Sequence, residues 1–458
     1  MAEAFTVLIL AAGRGTRMHS SLPKVLHPVC GKPMVEWVID AAREAGADKV
    51  VCITRPGDGV AEGLPEGVTV AEQVEGEGTG SAVLAAREHL TDDRPVVVLS
   101  GDHPLVSAEQ VAELVEAHVG EGAAATLLTT ESIDPTGYGR IVRGEDGSVE
   151  RIVETKYTEG VPPKELAIRE VNIGTYAFDA VQLVGALDRV ELENDERYLT
   201  GTVPVLREAG GKIAAHVTED PAGALGINDR SQLMEAEALA QQRLLVAHVR
   251  AGVTFQSPQT TRVEAAVEIG PDTLVAPGCN LTGSTRVGAG ARIGPNTTII
   301  DSSIGDAATV IQSYLVEAEV HESATIGPFA YLRPGAIVRE GAKIGTFVEV
   351  KNSDIGKGAK VPHLSYVGDA EVGEGANLGA STITANYDGR RKHRTKVGKR
   401  AKIAVHTTLV APVDVGDGAY TGAGSAITED IPDGALGIAR PRQKNVEGYA
   451  KRVEEERE

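Results

Sequence analysis

The sequence predicts an α/β chain in two parts, an open parallel sheet flanked by helices followed by a triangular parallel β-solenoid. Three observations predict it. An apolar run, Phe5 to Leu10, leads straight into a glycine-rich turn, the pattern of a first strand buried on both faces of a parallel sheet. Strand-like and helix-like stretches then alternate up to about residue 228. Beyond Val253 the helical period gives way to an aliphatic residue at every sixth position.

Length and composition fit this division. A chain of 458 residues is too long for one ordinary domain, and dividing by about 150 gives two or three. Hydrophobic residues make up 42% but aromatics only 3%, so the cores must be built from Val, Ile, Leu and Ala. The net charge of −20 argues against nucleic acid or an anionic membrane as a partner, and anionic ligands would need local cations. Cys30, Cys52 and Cys279 show no CxxC spacing, which excludes a Cys-rich zinc site and suits a reduced, cytoplasmic setting. No apolar run approaches the ~18 residues of a membrane span, and no export signal opens the chain.

In the first part, Leu8 to Lys24 reads LILAAGRGTRMHSSLPK. Gly13 and Gly15 let the backbone turn sharply and approach a ligand, so that main-chain N–H groups can line an anion pocket, with Arg17 and Lys24 as cations beside it. The string is neither a P-loop nor GxGxxG. A helix is predicted from Pro33 to Ala45, stopped by Gly46, and a strand over Val50 to Thr54. The strand Val96 to Leu99 delivers Ser100, Gly101 and Asp102 at its carboxyl end, where open α/β sheets bind ligands. Taken alone, Asp102 also suits the cap of a turn.

LAAGxGTRM followed by LPK resembles the signature of the sugar-1-phosphate nucleotidylyltransferases. The resemblance implies a Rossmann-like domain in which Leu10, Ala11, Gly13, Arg17 and Lys24 hold the triphosphate and sugar phosphate. GDHPL resembles the family's second motif, which makes Asp102 a Mg²⁺ ligand. Gln73 and Gly78-Thr79 resemble the uracil-recognition segment, with residues around Gly76 outside its usual form and Ser81 where the family has His. Gly139 corresponds to a position near the ribose, and Glu154 and Asn172 to residues holding the N-acetylglucosamine hydroxyls. Gly201 replaces an Asp of the family pattern. Asn228 resembles the second Mg²⁺ ligand, and it equally suits the N-cap of the helix that follows.

From Asp229 to Ala251, apolar residues at helical spacing predict an arm joining two domains. In the second part, Val263, Ile269, Val275, Leu281, Val287, Ile293 and Ile299 fall six apart. The phase returns from Val320 to Val350 and again from Val397 to Val415. Six-residue sides stack into a triangular coil of about 18 residues, giving about ten coils. Glycines such as Gly270 and Gly345, following the aliphatic residue, are read as the corners. The long break, Thr384 to Lys396, is read as an extruded loop whose basic residues suit the phosphates of a ligand.

The coil resembles the left-handed β-helix of hexapeptide acyltransferases, trimeric as a class. The order LRPG, VEVK, HLSYVGD, GANLGASTIT and NYDG behind a nucleotidylyltransferase resembles the bifunctional N-acetylglucosamine-1-phosphate uridylyltransferase and glucosamine-1-phosphate acetyltransferase family. That resemblance implies a uridylyltransferase domain over 1–228, a helical linker over 229–252 and an acetyltransferase domain over 253–458, assembled as a homotrimer. It implies that Arg333 and Lys351 bind the sugar phosphate, that Tyr366 and Asn377 hold the sugar, and that His363 is the general base. Asn386, Tyr387 and Lys392 complete the site, and Ala380, Ala423 and Arg440 match coenzyme A positions. Val405-His406 departs from the family's usual residues there. UTP, N-acetylglucosamine-1-phosphate, glucosamine-1-phosphate and acetyl-coenzyme A are the implied substrates, with Mg²⁺ as cofactor. The competing readings are a nucleotidylyltransferase of another base or sugar with a purely structural solenoid, and a non-catalytic regulator that binds sugar nucleotides.

Overall fold

The computed structural model describes residues 4–90, 94–145, 147–155, 161–193 and 195–457. Contacts divide the chain into two compact units, Met1–Gln242 and Arg243–Glu458. The division falls inside a single 21-residue helix, Arg230–Arg250.

The first unit is built on a sheet ordered Ile213–Val217, Ala125–Thr130, Val171–Asp179, Pro95–Ser100, Thr6–Leu10, Lys49–Thr54, Thr69–Glu72. Thr6–Leu10 pairs in parallel with Lys49–Thr54 and Pro95–Ser100. Its alternate residues enter cores on opposite faces, Leu8 on one and Val7 and Ile9 on the other, so the run is apolar throughout rather than alternating. The sheet is mixed rather than all parallel. Val171–Asp179 runs antiparallel to both neighbours, and its first residue also pairs with Arg140 of the hairpin Arg140–Arg143 and Val149–Val153. Helix Met34–Glu44 buries Val35, Val38 and Ile39. Helix Ala108–Glu121 starts in a capping box between Ser107 and Gln110.

The second unit is a left-handed parallel β-helix of very short strands in three parallel sheets of 11, 10 and 9 strands. Aliphatic residues stack directly from coil to coil, as in Val275, Ile293, Val310, Ile326, Ile344 and Val361. The stacked side chains form one continuous core. The interruption after Ile299 is a set of shortened sides: the buried residues run Ile304, Val310, Leu315 and Val320, losing one residue at three of the four steps.

The corners differ from the expectation for glycine. Left-handed corner conformations are taken by Phe329, Phe347, Leu364, Asp369, Ser381 and His406, among others. A glycine such as Gly345 follows the inward residue because the next coil leaves no room, a Cβ there lying 1.9 Å from the Pro362 carbonyl oxygen. The protruding segment is also shorter than the break in the period. Thr384 and Lys396 belong to strands Ile383–Ala385 and Thr395–Val397, leaving 386–394 outside the coil.

Candidate functional sites

The first unit holds a cavity of about 260 Å³ at the carboxyl ends of strands Thr6–Leu10 and Pro95–Ser100. Leu10, Gly13, Lys24, Gln73, Gly78, Thr79 and Asp102 all line it. Gly15 has φ +58°, and a Cβ on it would lie 2.6 Å from the Lys24 Cβ. The turn must therefore be glycine at that position for Lys24 to reach the cavity. Lys24 Nζ donates to Asp102 Oδ2 and, at 3.3 Å, to Asn228 Oδ1. Burial pushes the Asp102 carboxyl up, but His103 and Lys24 outweigh it and hold the group below the ordinary carboxylate range.

The helix end separates the two readings of Asn228. The carboxylate of Asp229 accepts from the Ser231 and Gln232 N–H groups, so Asp229 does the capping and the Asn228 amide faces Lys24. Asp102 and Asn228 thus aim two oxygens at one cationic point. That donor set suits a hard divalent ion sharing its shell with phosphates, although no cluster of three or more His, Cys, Asp or Glu is found among the described residues.

Ala11 is buried behind the cavity, its N–H donating to the Ile53 carbonyl. Arg17 is exposed on a one-turn helix, Thr16–Met18, and is not among the residues lining the cavity. Arg14 and Arg55 are, and sequence reasoning passed over both. Arg55 directly follows strand Lys49–Thr54, so its place at the strand end was the available signal. The hydroxyl of Thr79 accepts from the Leu199 N–H, 2.9 Å. Gln73 is buried and donates to the Gly76 carbonyl, 3.0 Å. Gly76 packs against Ser81, and Gly201 against Val190, which leaves no room for a longer side chain at 201. Gly139, Glu154 and Asn172 gather in a separate group. A Cβ on Gly139 would lie 3.7 Å from Glu154 Oε2 and 3.8 Å from Asn172 Cβ. The Asn172 amide is held by the Tyr176 hydroxyl and the Gly174 N–H.

In the second unit, one sheet carries Glu349–Lys351, Tyr366–Gly368 and Ile383–Ala385 on successive coils. Arg333 follows the preceding strand, Tyr331–Leu332, and donates to Glu349, 2.7 Å. Asn386 donates to the Tyr366 hydroxyl, 3.4 Å, and to Asp369 Oδ2. Asn352 donates to the other oxygen of Asp369, 2.6 Å. Asp369 is 5% exposed, and Lys351 and Lys392 both act on its charge. Burial raises its carboxyl, while the two amides and the two lysines bring it below the ordinary range. Lys351 in turn pushes the Lys392 ammonium down. The arrangement is one buried carboxylate held by two amides, with two lysines near enough to act on its charge and the Tyr366 hydroxyl against Asn386. Asp369 lies inside the HLSYVGD string, and its place between two amides emerges only when the coils stack.

Gly368 makes the cluster possible, since a Cβ there would lie 2.3 Å from the Tyr366 hydroxyl and 2.8 Å from Asn386 Nδ2. The protruding segment is organised by Asp388, whose carboxylate accepts from the Arg390 and Arg391 N–H groups and pairs with His393. Those contacts hold its carboxyl down at about 2. Tyr387 and Lys392 bridge across the segment's base. His363 sits exposed at the end of strand Lys360–His363, and Asn377 lies on the same sheet. Ala380, Val405, Ala423 and Arg440 stack along one edge. The His406 N–H donates to Ala380, the Gly424 N–H to Val405, and Arg440 to Ala423.

Residues 7–151 match the family described as MobA-like NTP transferase domain. Over nearly the whole chain there are close curated relatives. The bifunctional protein GlmU of Brevibacillus brevis is 47% identical over 450 residues, covering 97% of each chain. That of Thermoanaerobacter pseudethanolicus is 45% identical and covers 98% of each. That of Streptomyces avermitilis is 46% identical over 455 residues, 97% of this chain and 94% of the relative. Identity at that level across both units, with both clusters in place, makes this chain a member of the bifunctional GlmU family.

Proposed function

We propose that the protein carries out two consecutive reactions of UDP-N-acetylglucosamine synthesis. The solenoid acetylates glucosamine-1-phosphate with acetyl-coenzyme A. The first unit then transfers uridylyl from UTP to the N-acetylglucosamine-1-phosphate produced, releasing pyrophosphate. The observation that carries the reading is the pairing, in one chain, of a cavity lined by Gly13, Lys24, Gln73 and Asp102 with a Lys351–Asp369–Asn386–Tyr366 cluster.

In uridylyl transfer, the glycine-rich turn and Lys24 bind the triphosphate, Gln73 with Gly78 and Thr79 takes the base, and Glu154 and Asn172 orient the sugar beside Gly139. Arg17 would contribute from outside the cavity as it stands. Asp102 and Asn228 would hold Mg²⁺, which when bound neutralises charge on the phosphates. The convergence of both oxygens on Lys24 supports that assignment. Lys24 then stabilises charge at the α-phosphate during in-line displacement.

In acetyl transfer, Arg333 and Lys351 bind the sugar phosphate, Tyr366 and Asn377 hold the sugar, and Asn386, Tyr387 and Lys392 complete the site. His363 takes the proton from the attacking amine, since only the free amine can attack the thioester. Ala380, Ala423 and Arg440 receive coenzyme A. A homotrimer in the cytoplasm completes the proposal. The exposed apolar side chains of Phe329, Phe347 and Leu364, beside His363, support pairing with further copies. No helix among the described residues is long and apolar enough to cross a membrane.

The test is incubation with glucosamine-1-phosphate, acetyl-coenzyme A, UTP and Mg²⁺, with product resolved by mass. Formation of UDP-N-acetylglucosamine supports both steps. Consumption of UTP without acetylation of the amine would reduce the solenoid to a structural role.

A further inference from the structure

The charges of the nucleotide cavity cancel. The described residues lining it include three cations, Arg14, Lys24 and Arg55, and three carboxylates, Glu77, Asp102 and Glu196. Lys24 is engaged by Asp102. The two guanidiniums share a single carboxylate: Arg14 Nη2 donates to Glu77 Oε1 at 2.6 Å and Arg55 Nη2 to Glu77 Oε2 at 2.5 Å. Arg55 Nε also donates to the Ala12 carbonyl, 2.7 Å. Its guanidinium is thereby fixed against the glycine-rich turn, with its side chain only 25% exposed. Glu77 stands on the segment between Gln73 and Thr79, so its carboxylate ties that segment to the turn.

A cavity neutral in itself is a poor receptor for an anion, while a guanidinium is well made for phosphate because its fork matches two oxygens at once. We propose that Arg14 and Arg55 form a second anion subsite of this cavity, that it takes the terminal phosphates of a nucleoside triphosphate and hence inorganic pyrophosphate, and that Glu77 fills it in the ligand-free protein as an internal competitor displaced on binding. The inference rests on the nucleotide reading of the cavity. No covalent bond is made or broken; two guanidiniums exchange one carboxylate for phosphate oxygens.

The sign of one substitution separates this from a simple brace. If Glu77 only held the segment in place, Glu77→Gln would loosen the site and weaken every ligand. If Glu77 competes with phosphate, the same change strengthens binding of ligands that carry terminal phosphates. The full-length chain should therefore be titrated calorimetrically with inorganic pyrophosphate, UTP and UMP, at low and at high salt.

Glu77→Gln is expected to bind pyrophosphate and UTP about two- to fivefold more tightly at low salt, the range for an exposed ion pair. The gain should shrink as salt screens it. Arg55→Gln and the exposed Arg14→Gln should each bind both ligands more weakly. UMP, lacking the terminal phosphates, should bind all forms alike. Weaker or unchanged pyrophosphate binding by Glu77→Gln overturns the proposal, and so does unchanged binding by both arginine variants. Should Glu77→Gln fail to fold, Glu77→Asp, whose shorter side chain holds both guanidiniums less well, should show the same strengthening, and its absence overturns the proposal. A wild-type chain that binds neither UTP nor UMP removes the nucleotide reading itself, and the subsite with it.

Discussion

Replacing Asp369 by Asn keeps the shape of a buried side chain and removes only its charge and one acceptor. In the native cluster both carboxylate oxygens accept amide hydrogens, one from Asn352 and one from Asn386. The introduced carboxamide would offer one carbonyl and one NH₂, so one of the two neighbouring amides must face a donor. A hydrogen bond to a charged group contributes about 1.5–3 kcal/mol, and orphaning its partner costs about 1–3 kcal/mol. If the conflict falls on Asn352, the loss appears in stability. If it falls on Asn386, that amide can flip to recover the bond, but it then presents its oxygen where it had presented hydrogens. The substrate meets inverted polarity. At about 1.4 kcal/mol per tenfold, acetyl-transfer kcat should fall by about ten- to a hundredfold.

The effect on KM should run the other way. Asp369 is the carboxylate shared by Lys351 and Lys392, so its neutralisation leaves both cations to the sugar phosphate, and KM should hold or fall. The assay is thiol release from acetyl-coenzyme A across a range of glucosamine-1-phosphate, with melting temperature measured in parallel. The native carboxyl lies below its ordinary value of about 3.9, which makes its contribution to stability complete above that value. The contribution is lost as pH falls through the folded value, and Asp369→Asn should remove that part of the acid limb of stability. A variant with unchanged kcat and unchanged melting would refute the reasoning, since the charge that two amides and two lysines engage would then contribute to neither.

Asp102→Ala should abolish uridylyl transfer and spare acetyl transfer, with added Mg²⁺ failing to restore activity; equal loss of both, in separate assays, would contradict two independent sites. His363→Ala should lower acetyl-transfer kcat by about 10²- to 10⁴-fold, with a smaller change in KM because Arg333 and Lys351 still anchor the phosphate; near-normal kcat would assign the base elsewhere. Gly368→Ala should displace the Tyr366 hydroxyl and the Asn386 amide, cutting acetyl transfer while uridylyl transfer continues, as paired assays on one preparation would show.

What the sequence made legible, and what it hid, follows from the range of each interaction. The solenoid is read from one aliphatic residue in six because every coil meets only its neighbours, so local periodicity already contains the tertiary contacts. Even there the one-residue shortenings between Ile299 and Val320 look like lost phase, since a side can drop a residue and keep its inward side chain. The strand order of the first unit was less accessible. Nothing in Val171–Asp179 announces that it enters the sheet antiparallel; that shows only in its pairing with Pro95–Ser100 and Ala125–Thr130. The sites divide in the same way. Lys24 and Asp102 lie in compact strings whose spacing carries their chemistry. Arg55 and Glu77 are 22 residues apart, and each alone is an ordinary surface charge. Only the parallel pairing of Lys49–Thr54 with Thr69–Glu72 brings their strand ends side by side. Asp369 was hidden by its company rather than by distance. Its role is to hold Asn386 and to share charge with two lysines, and it acquires that role only when successive coils stack Lys351, Gly368 and the base of the protruding segment over one another. In this chain the groups that touch substrate are spelled out in short motifs. The groups that set their charge and orientation lie a coil or a strand away.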